Sequence, residues 1–119
     1  MENYSASLDK SFHALSDPTR RSVIQRLISG PATVKELAEP FAMGLPSFMK
    51  HIKVLEESGL ISSQKVGRIR TCEIKPNQLT AAEKWLSEQR AIWEGRTDRL
   101  AEYVELLASK EHIDEKRKL

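Results

Sequence analysis

Gly44-Leu45-Pro46-Ser47-Phe48-Met49-Lys50-His51-Ile52-Lys53-Val54-Leu55-Glu56-Glu57-Ser58-Gly59 leads through five residues to Lys65-Val66-Gly67-Arg68-Ile69-Arg70. In the first part Phe48, Ile52 and Leu55 recur at i, i+4 and i+7, so a helix over 46–58 puts them on one face, and that face must meet a core. The opposite stripe holds Ser47, Lys50, His51 and Val54, with Lys53 flanking it. These are side chains of the size and polarity that reach base edges and phosphates. Gly59 suits the left-handed position just past a helix end. Residues 60–66 and 69–75 are rich in Ile, Val, Ser and Thr, and Gly67-Arg68 between them reads as a two-residue hairpin turn with basic residues on both sides. The pair predicts a recognition helix followed by a basic β-hairpin.

The distribution of charge supports this reading. Residues 1–43 carry five basic and five acidic side chains, residues 44–76 carry six and three, and residues 77–119 carry eight and nine. The positive excess behind the net charge of +2 therefore lies in the one segment that holds the helix and hairpin. A clustered basic surface attracts phosphate by releasing the counterions condensed on DNA.

At 119 residues and 39% hydrophobic, the chain supports one domain with a modest core. No apolar run approaches the roughly 20 residues that span a bilayer, and Met1-Glu2-Asn3-Tyr4 has no basic flank leading into an apolar block. A single cysteine, Cys72, cannot form an internal disulfide, and the reading is a cytoplasmic protein with no membrane partner.

Upstream, Leu8, Phe12 and Leu15 predict a first helix over about 5–15. Asp17-Pro18 supplies an N-cap and a first-turn proline for a second helix with Val23, Ile24, Leu27 and Ile28 as its buried stripe, ended by Gly30-Pro31. Thr33-Val34-Lys35-Glu36 has capping-box spacing, and Pro40 limits the third helix to about two turns. Beyond Pro76, Leu79, Leu86, Trp93, Leu100 and Leu107 keep strict seven-residue spacing, with Ala82 and Tyr103 between them. Helical from 79 to 107, this segment spans about 43 Å, whereas a globule of this length has a radius of gyration of about 14 Å. Its apolar stripe then needs a partner surface, and the same helix of a second copy is the simplest. The divisions expected are an N-terminal helix to residue 16, a DNA-binding domain over 17–76, a dimerisation helix over 77–108 and a charged, solvated tail over 109–119.

Three stretches, Leu15-Ser16-Asp17-Pro18-Thr19-Arg20-Arg21, Thr33-Val34-Lys35-Glu36-Leu37-Ala38, and Ser47 to Leu60 with His51 and Leu55, together resemble the ArsR/SmtB family of bacterial winged-helix repressors. The resemblance covers about residues 8–76. It implies a mainly α fold with a small β-hairpin, a winged helix-turn-helix with helical dimerisation elements at both termini. It also implies a homodimer built on the first and last helices, here through Leu8, Phe12, Leu86, Trp93, Leu100, Tyr103 and Leu107. Two recognition helices would then enter successive major grooves of a palindromic operator, about 34 to 36 Å apart. The DNA-binding residues expected are Ser47, Lys50, His51, Lys53 and Val54 on the helix and Lys65, Arg68 and Arg70 on the wing.

The chain departs from the family's metal-sensing pattern. Where that pattern has two cysteines it has Ala38 and Pro40, neither able to ligate a metal. His112 and Glu115 keep half of the second family site, but Arg99, Leu100 and Ala101 stand where an Asp-x-His pair would complete it, and Zn²⁺ wants three or four ligands. The residues around Trp85, Arg90, Trp93, Arg96 and Tyr103 resemble a metal-free branch of the family. No metal and no cofactor are expected, and the inducing signal is left unassigned.

Each of these residues also has a plainer reading. Lys50, His51 and Lys53 could form an ordinary solvated face, with His51 orienting the helix, and Arg68 and Arg70 could be edge-strand charges. Cys72 reads as a small buried hydrophobe rather than a redox sensor, Trp85 and Trp93 as packing residues rather than pocket walls, and His13 as surface decoration. An enzyme is disfavoured: the three histidines are dispersed and no nucleophile motif or Gly-rich phosphate loop is present. The function expected is a sequence-specific transcriptional regulator, a homodimeric repressor. The alternative is a winged-helix module that grips a protein partner, for which the basic excess over 44–76 is the wrong composition.

Overall fold

Asp17 opens the second helix as the sequence requires: its carboxylate accepts from the Arg20 backbone N–H at 3.1 Å and Pro18 takes the first helical position. The computed structural model describes residues 4–118, with side chains from Ala6 to Glu111. In chain order it comprises α1 (Tyr4–Leu15), α2 (Pro18–Ile28), β1 (Ala32–Thr33), α3 (Val34–Ala38), α4 (Leu45–Glu57), β2 (Ile61–Val66), β3 (Ile69–Ile74) and α5 (Pro76–Lys118). Residues up to Glu83 form one compact unit and those from Lys84 another.

In the first unit, α4 drives Phe48, Ile52 and Leu55 into a core shared with Val23, Ile24 and Leu27 of α2, Val34 and Leu37 of α3, and Leu60, Ile61 and Cys72 around the sheet. Phe41 stacks on Phe48 with ring centroids 5.6 Å apart, closing the loop between α3 and α4 over the core. Thr33 and Glu36 form the full capping box, with the Glu36 N–H donating to Thr33 Oγ1 at 3.1 Å.

The hairpin pairs Val66 with Ile69 and Ile61 with Ile74 around the two-residue turn Gly67-Arg68. Gly67 has φ +64° and, among the described residues, no non-glycine residue has positive φ, which is the pattern of a II′ turn, whose twist matches the strands it joins. Gly59 sits at φ +80° after α4, where a Cβ would also come 3.0 Å from the Gln78 side chain. β1 adds a third strand that the hairpin reading did not expect: Ala32 pairs with Cys72 and Thr33 with Thr71, giving the order β1-β3-β2. Two residues of strand carry too little periodicity to be seen in sequence.

Two expected stripes are corrected. Ile28 is 71% exposed, because α2 buries Arg20, Val23, Ile24 and Leu27, and position 28 lies about 90° round the helix from that stripe's centre at 100° per residue. On α1 the buried line runs through Leu8, Ser11 and Ala14, with Phe12 at its edge. Leu8, expected at the dimer contact, is thus mostly covered within its own chain, at 7% exposed.

In the second unit, Leu86, Trp93, Leu100, Tyr103 and Leu107 are exposed, from 43% at Leu107 to 66% at Trp93, and Ile92, Val104 and Leu106 are exposed beside them. The helical backbone continues through 109–118, where a charged tail is expected, since Ser109-Lys110-Glu111-His112-Ile113-Asp114-Glu115-Lys116-Arg117-Lys118 contains no Gly or Pro to stop it. The side chains of His112 and Glu115 lie outside the described ones.

Burial works to raise the Asp17 carboxyl pKa, but the Arg20 N–H, His51 and the Arg20 guanidinium outweigh it and hold the group below its ordinary value. A carboxyl depressed on folding contributes stability above its unfolded pKa of about 3.9, and that contribution disappears as pH falls through the folded value. Asp17→Asn keeps a capping oxygen without the charge, so urea midpoints should fall less steeply below about pH 4 in that variant than in the parent. Asp17→Ala should lose about 1 kcal/mol at neutral pH through the missing cap.

Candidate nucleic-acid interface

α4 is held by its apolar face, and the side chains left over are sorted by where they point. Ser47 and Lys50 are exposed near its N-terminal end, and Lys53 is exposed with its ammonium 3.9 Å from Glu57 Oε1. An exposed i,i+4 pair of this kind contributes only about 0.3 to 0.5 kcal/mol and leaves the lysine available. Val54 is half-buried against the core cluster, so the expected stripe ends before it.

His51 is half-buried, with one edge of its ring against Arg20. Its Nδ1 lies 3.1 Å from Arg20 Nη1 and 3.8 Å from Asp17 Oδ2, and the side chain keeps 22% of its surface. Arg20, only 8% exposed, donates from Nε to the Ala14 carbonyl at 2.8 Å and from Nη2 to the His13 carbonyl at 3.1 Å. Arg21 Nη1 donates to the Leu15 carbonyl at 2.8 Å. The two arginines thus satisfy the last carbonyls of α1, which has no glycine cap. Sequence reading missed Arg20. The available signal was a pair of cations in the first turn of a helix, where the macrodipole disfavours them unless a specific acceptor compensates.

The wing is tied to α4 by a second polar chain. Arg70 Nη1 donates to Ser63 Oγ at 2.8 Å, and Ser63 Oγ donates to Glu56 Oε1. Arg70 is therefore half-buried on the inner face of the hairpin and braces it, while Lys65 and Arg68 are exposed towards the turn. Cys72, next but one on the same face, is fully buried. Burial, aided by Glu56 and opposed by Arg70, raises its thiol pKa to about 11.

Two adjoining grooves collect the cations. One, of about 430 Å³, is lined by Lys50, Lys53, Glu56 and Arg70. The other, of about 1130 Å³, lies between the start of α3, the first turns of α4 and the wing, and holds Lys35, Lys65, Arg68 and Arg70 over an apolar floor that includes Leu45 and Met49. Arg70 belongs to both, so helix and wing share one continuous basic edge. Lys35, absent from the expected set, joins it only because β1 brings the start of α3 beside β3. Among the described residues no group of three or more His, Cys, Asp and Glu is placed to hold a metal ion.

Residues 15–64 match the helix-turn-helix domain family. The chain is 57% identical to an ArsR family transcriptional regulator of known crystal structure, with a TM-score of 0.75, covering 79% of this chain and 97% of that one. This chain belongs to the ArsR family. Its fold is a winged helix-turn-helix and its function is that of a DNA-binding transcriptional regulator. It is also 36% identical over 75 residues to the HTH-type transcriptional regulator Rv2034 of Mycobacterium tuberculosis, across 63% of this chain and 70% of that protein. To the transcriptional repressor SdpR of Bacillus subtilis it is 29% identical over 79 residues, across 66% of this chain and 88% of the repressor. Among the described residues no helix is long and apolar enough to cross a membrane.

If Glu56 and Arg70 brace the wing through Ser63, Glu56→Ala should raise amide hydrogen exchange across Lys65–Ile69 several-fold with little change at α2. Uniform acceleration would assign the residue to global stability instead. For Cys72, a pKa of about 11 leaves only about one thiol in a thousand ionised at pH 8, so alkylation of the folded protein should be far slower than of the urea-unfolded chain.

Proposed function

We propose that this ArsR-family regulator acts as a homodimeric repressor in the cytoplasm, occupying a palindromic operator. In this reading Ser47 and Lys50 of α4 meet base edges in the major groove, Lys53 and His51 contact the DNA beside them, and Lys65 and Arg68 of the wing bind phosphates along the flanking groove, with Lys35 joining them. Arg70 is assigned to bracing rather than to direct contact. The observation that carries the reading is the continuous basic edge, in which cations of helix and wing line two grooves that share Arg70. Lys and Arg brought to one edge by a rigid helix and a braced hairpin neutralise several phosphates at once, and each contact adds to the salt dependence of binding.

The dimer is supported by the exposed apolar residues from Leu86 to Leu107 on α5, which a second copy could cover with the same surface about a two-fold axis. Leu8 has no place in that contact, since it is buried in its own chain. A protein-docking module without DNA binding is not favoured, because the edge is basic rather than apolar or acidic.

Binding to promoter DNA, followed by fluorescence anisotropy across a salt series, should weaken steeply, with log K falling by about 0.9 per contacted phosphate for each unit of log salt. Arg68→Ala should reduce that slope by about one contact and weaken specific and random duplexes alike, whereas Lys50→Ala should also narrow the gap between them. Equal losses on both duplexes for both variants would refute the assignment of α4 to sequence reading. Trp93→Asp should convert a dimer to a monomer in sedimentation and abolish operator binding at nanomolar protein. A parent protein that sediments as a monomer at tens of micromolar would overturn the dimer.

A further inference from the structure

α4 carries one imidazole, and its two ring nitrogens have different neighbours. His51 Nδ1 lies 3.1 Å from Arg20 Nη1, and a guanidinium offers only donors. A hydrogen bond across this contact requires Nδ1 to accept, which is met by the ring form whose proton is on Nε2. Asp17 Oδ2, at 3.8 Å, is too distant to draw a proton onto Nδ1 by hydrogen bonding.

The guanidinium that imposes this choice is itself immobile. Nε and Nη2 are committed to the Ala14 and His13 carbonyls, so the plane of Arg20 is set by the end of α1 and Nη1 is left aimed at the ring. Arg20 stands against the Nδ1 edge of the imidazole, and the His51 side chain as a whole keeps 22% of its surface.

We propose that Arg20 is a positioning residue for DNA recognition: it sets the tautomer of His51, so that α4 presents an Nε2–H donor to a hydrogen-bond acceptor on DNA, a purine N7 or a phosphate oxygen. This rests on the reading of α4 as the DNA-contacting helix. A free neutral imidazole can offer Nε2 as donor or as acceptor, and the acceptor form would tolerate the amino groups of adenine and cytosine in the major groove. With Nδ1 occupied, His51 favours acceptors and rejects those amino groups. Arg20 contributes to selectivity without touching the duplex.

The test has two arms, both on the full chain. In the first, ¹⁵N-imidazole NMR of the DNA-free protein, at a pH where histidine is neutral and with His51 assigned by loss of its signals in His51→Gln, should show a single tautomer with Nε2 protonated. Arg20→Gln places an amide that can donate or accept, and a folded variant should show a mixture. A major Nδ1–H form in the parent, or an unchanged single tautomer in folded Arg20→Gln, would overturn the proposal. In the second arm, a palindromic duplex selected by the protein from a random-sequence pool is scanned with single 7-deazapurines and single methylphosphonates. One substitution per half-site should weaken the parent about tenfold and leave His51→Ala with no further loss. Loss at a 7-deazapurine identifies a base acceptor and loss at a methylphosphonate a phosphate oxygen. If no substitution depends on His51, the donor role is wrong even where Arg20→Gln fails to fold. If no sequence is selected at all, the reading of α4 falls and takes this inference with it, whatever the tautomer.

Discussion

A single buried guanidinium sets the arrangement of the helices that carry the interface. Arg20 closes the end of α1 through two carbonyls, stands in the first turn of α2 behind its Asp17 cap, and reaches the imidazole of His51 on α4. Three helices thus meet at one planar group whose donors point in fixed directions. Apolar packing of Phe48, Ile52 and Leu55 decides that α4 lies on the core, but hydrophobic contact is non-directional and leaves rotation about the helix axis loosely set. Directional bonds to Arg20 supply the missing constraint. A buried charge left without partners is strongly destabilising, so the junction either forms completely or its loss is felt across all three helices.

A second polar chain plays the same part for the wing. The hairpin could pivot on the short segment between α4 and β2, were it held only by its ladder. Glu56, Ser63 and Arg70 link the outer turn of α4 to both strands, and Cys72 beside them packs as an apolar residue. These bonds restrain the hairpin, and with it the positive side chains at its turn, relative to α4. For a protein that must match the spacing of phosphates on a duplex, that rigidity lowers the cost of ordering on binding.

The α5 segment follows a different logic. From Leu86 to Leu107 its large apolar side chains are exposed in the single chain, which contrasts with the near-complete burial of Val23, Leu27, Phe48, Ile52 and Leu55 in the α2–α4 core. Exposed apolar surface of this kind is what the proposed dimer would cover. It is also the part of the molecule whose seven-residue spacing was most regular in sequence, the spacing that the proposed pairing with a second α5 would use.

Much of the first unit was legible without coordinates. Local chemistry fixed the start of α2 at Asp17-Pro18, the capping box of α3, the left-handed Gly59 and the Gly67-Arg68 turn, since each depends on residues within about four positions. The core face of α4 and the basic excess of residues 44–76 followed from period and composition, and with family motifs they identified the fold and class of function. Tertiary structure alone decided how the polar residues divide. It half-buried Val54, set one edge of the His51 ring against Arg20, made Arg70 a brace, buried Leu8 within its own chain, and brought Lys35 to the basic edge through the two-residue β1. Arg20 looked like one cation among several in sequence. Its role is set by carbonyls six and seven residues before it and by a ring 31 residues after it, and such long-range directional bonds leave no periodic trace in the chain.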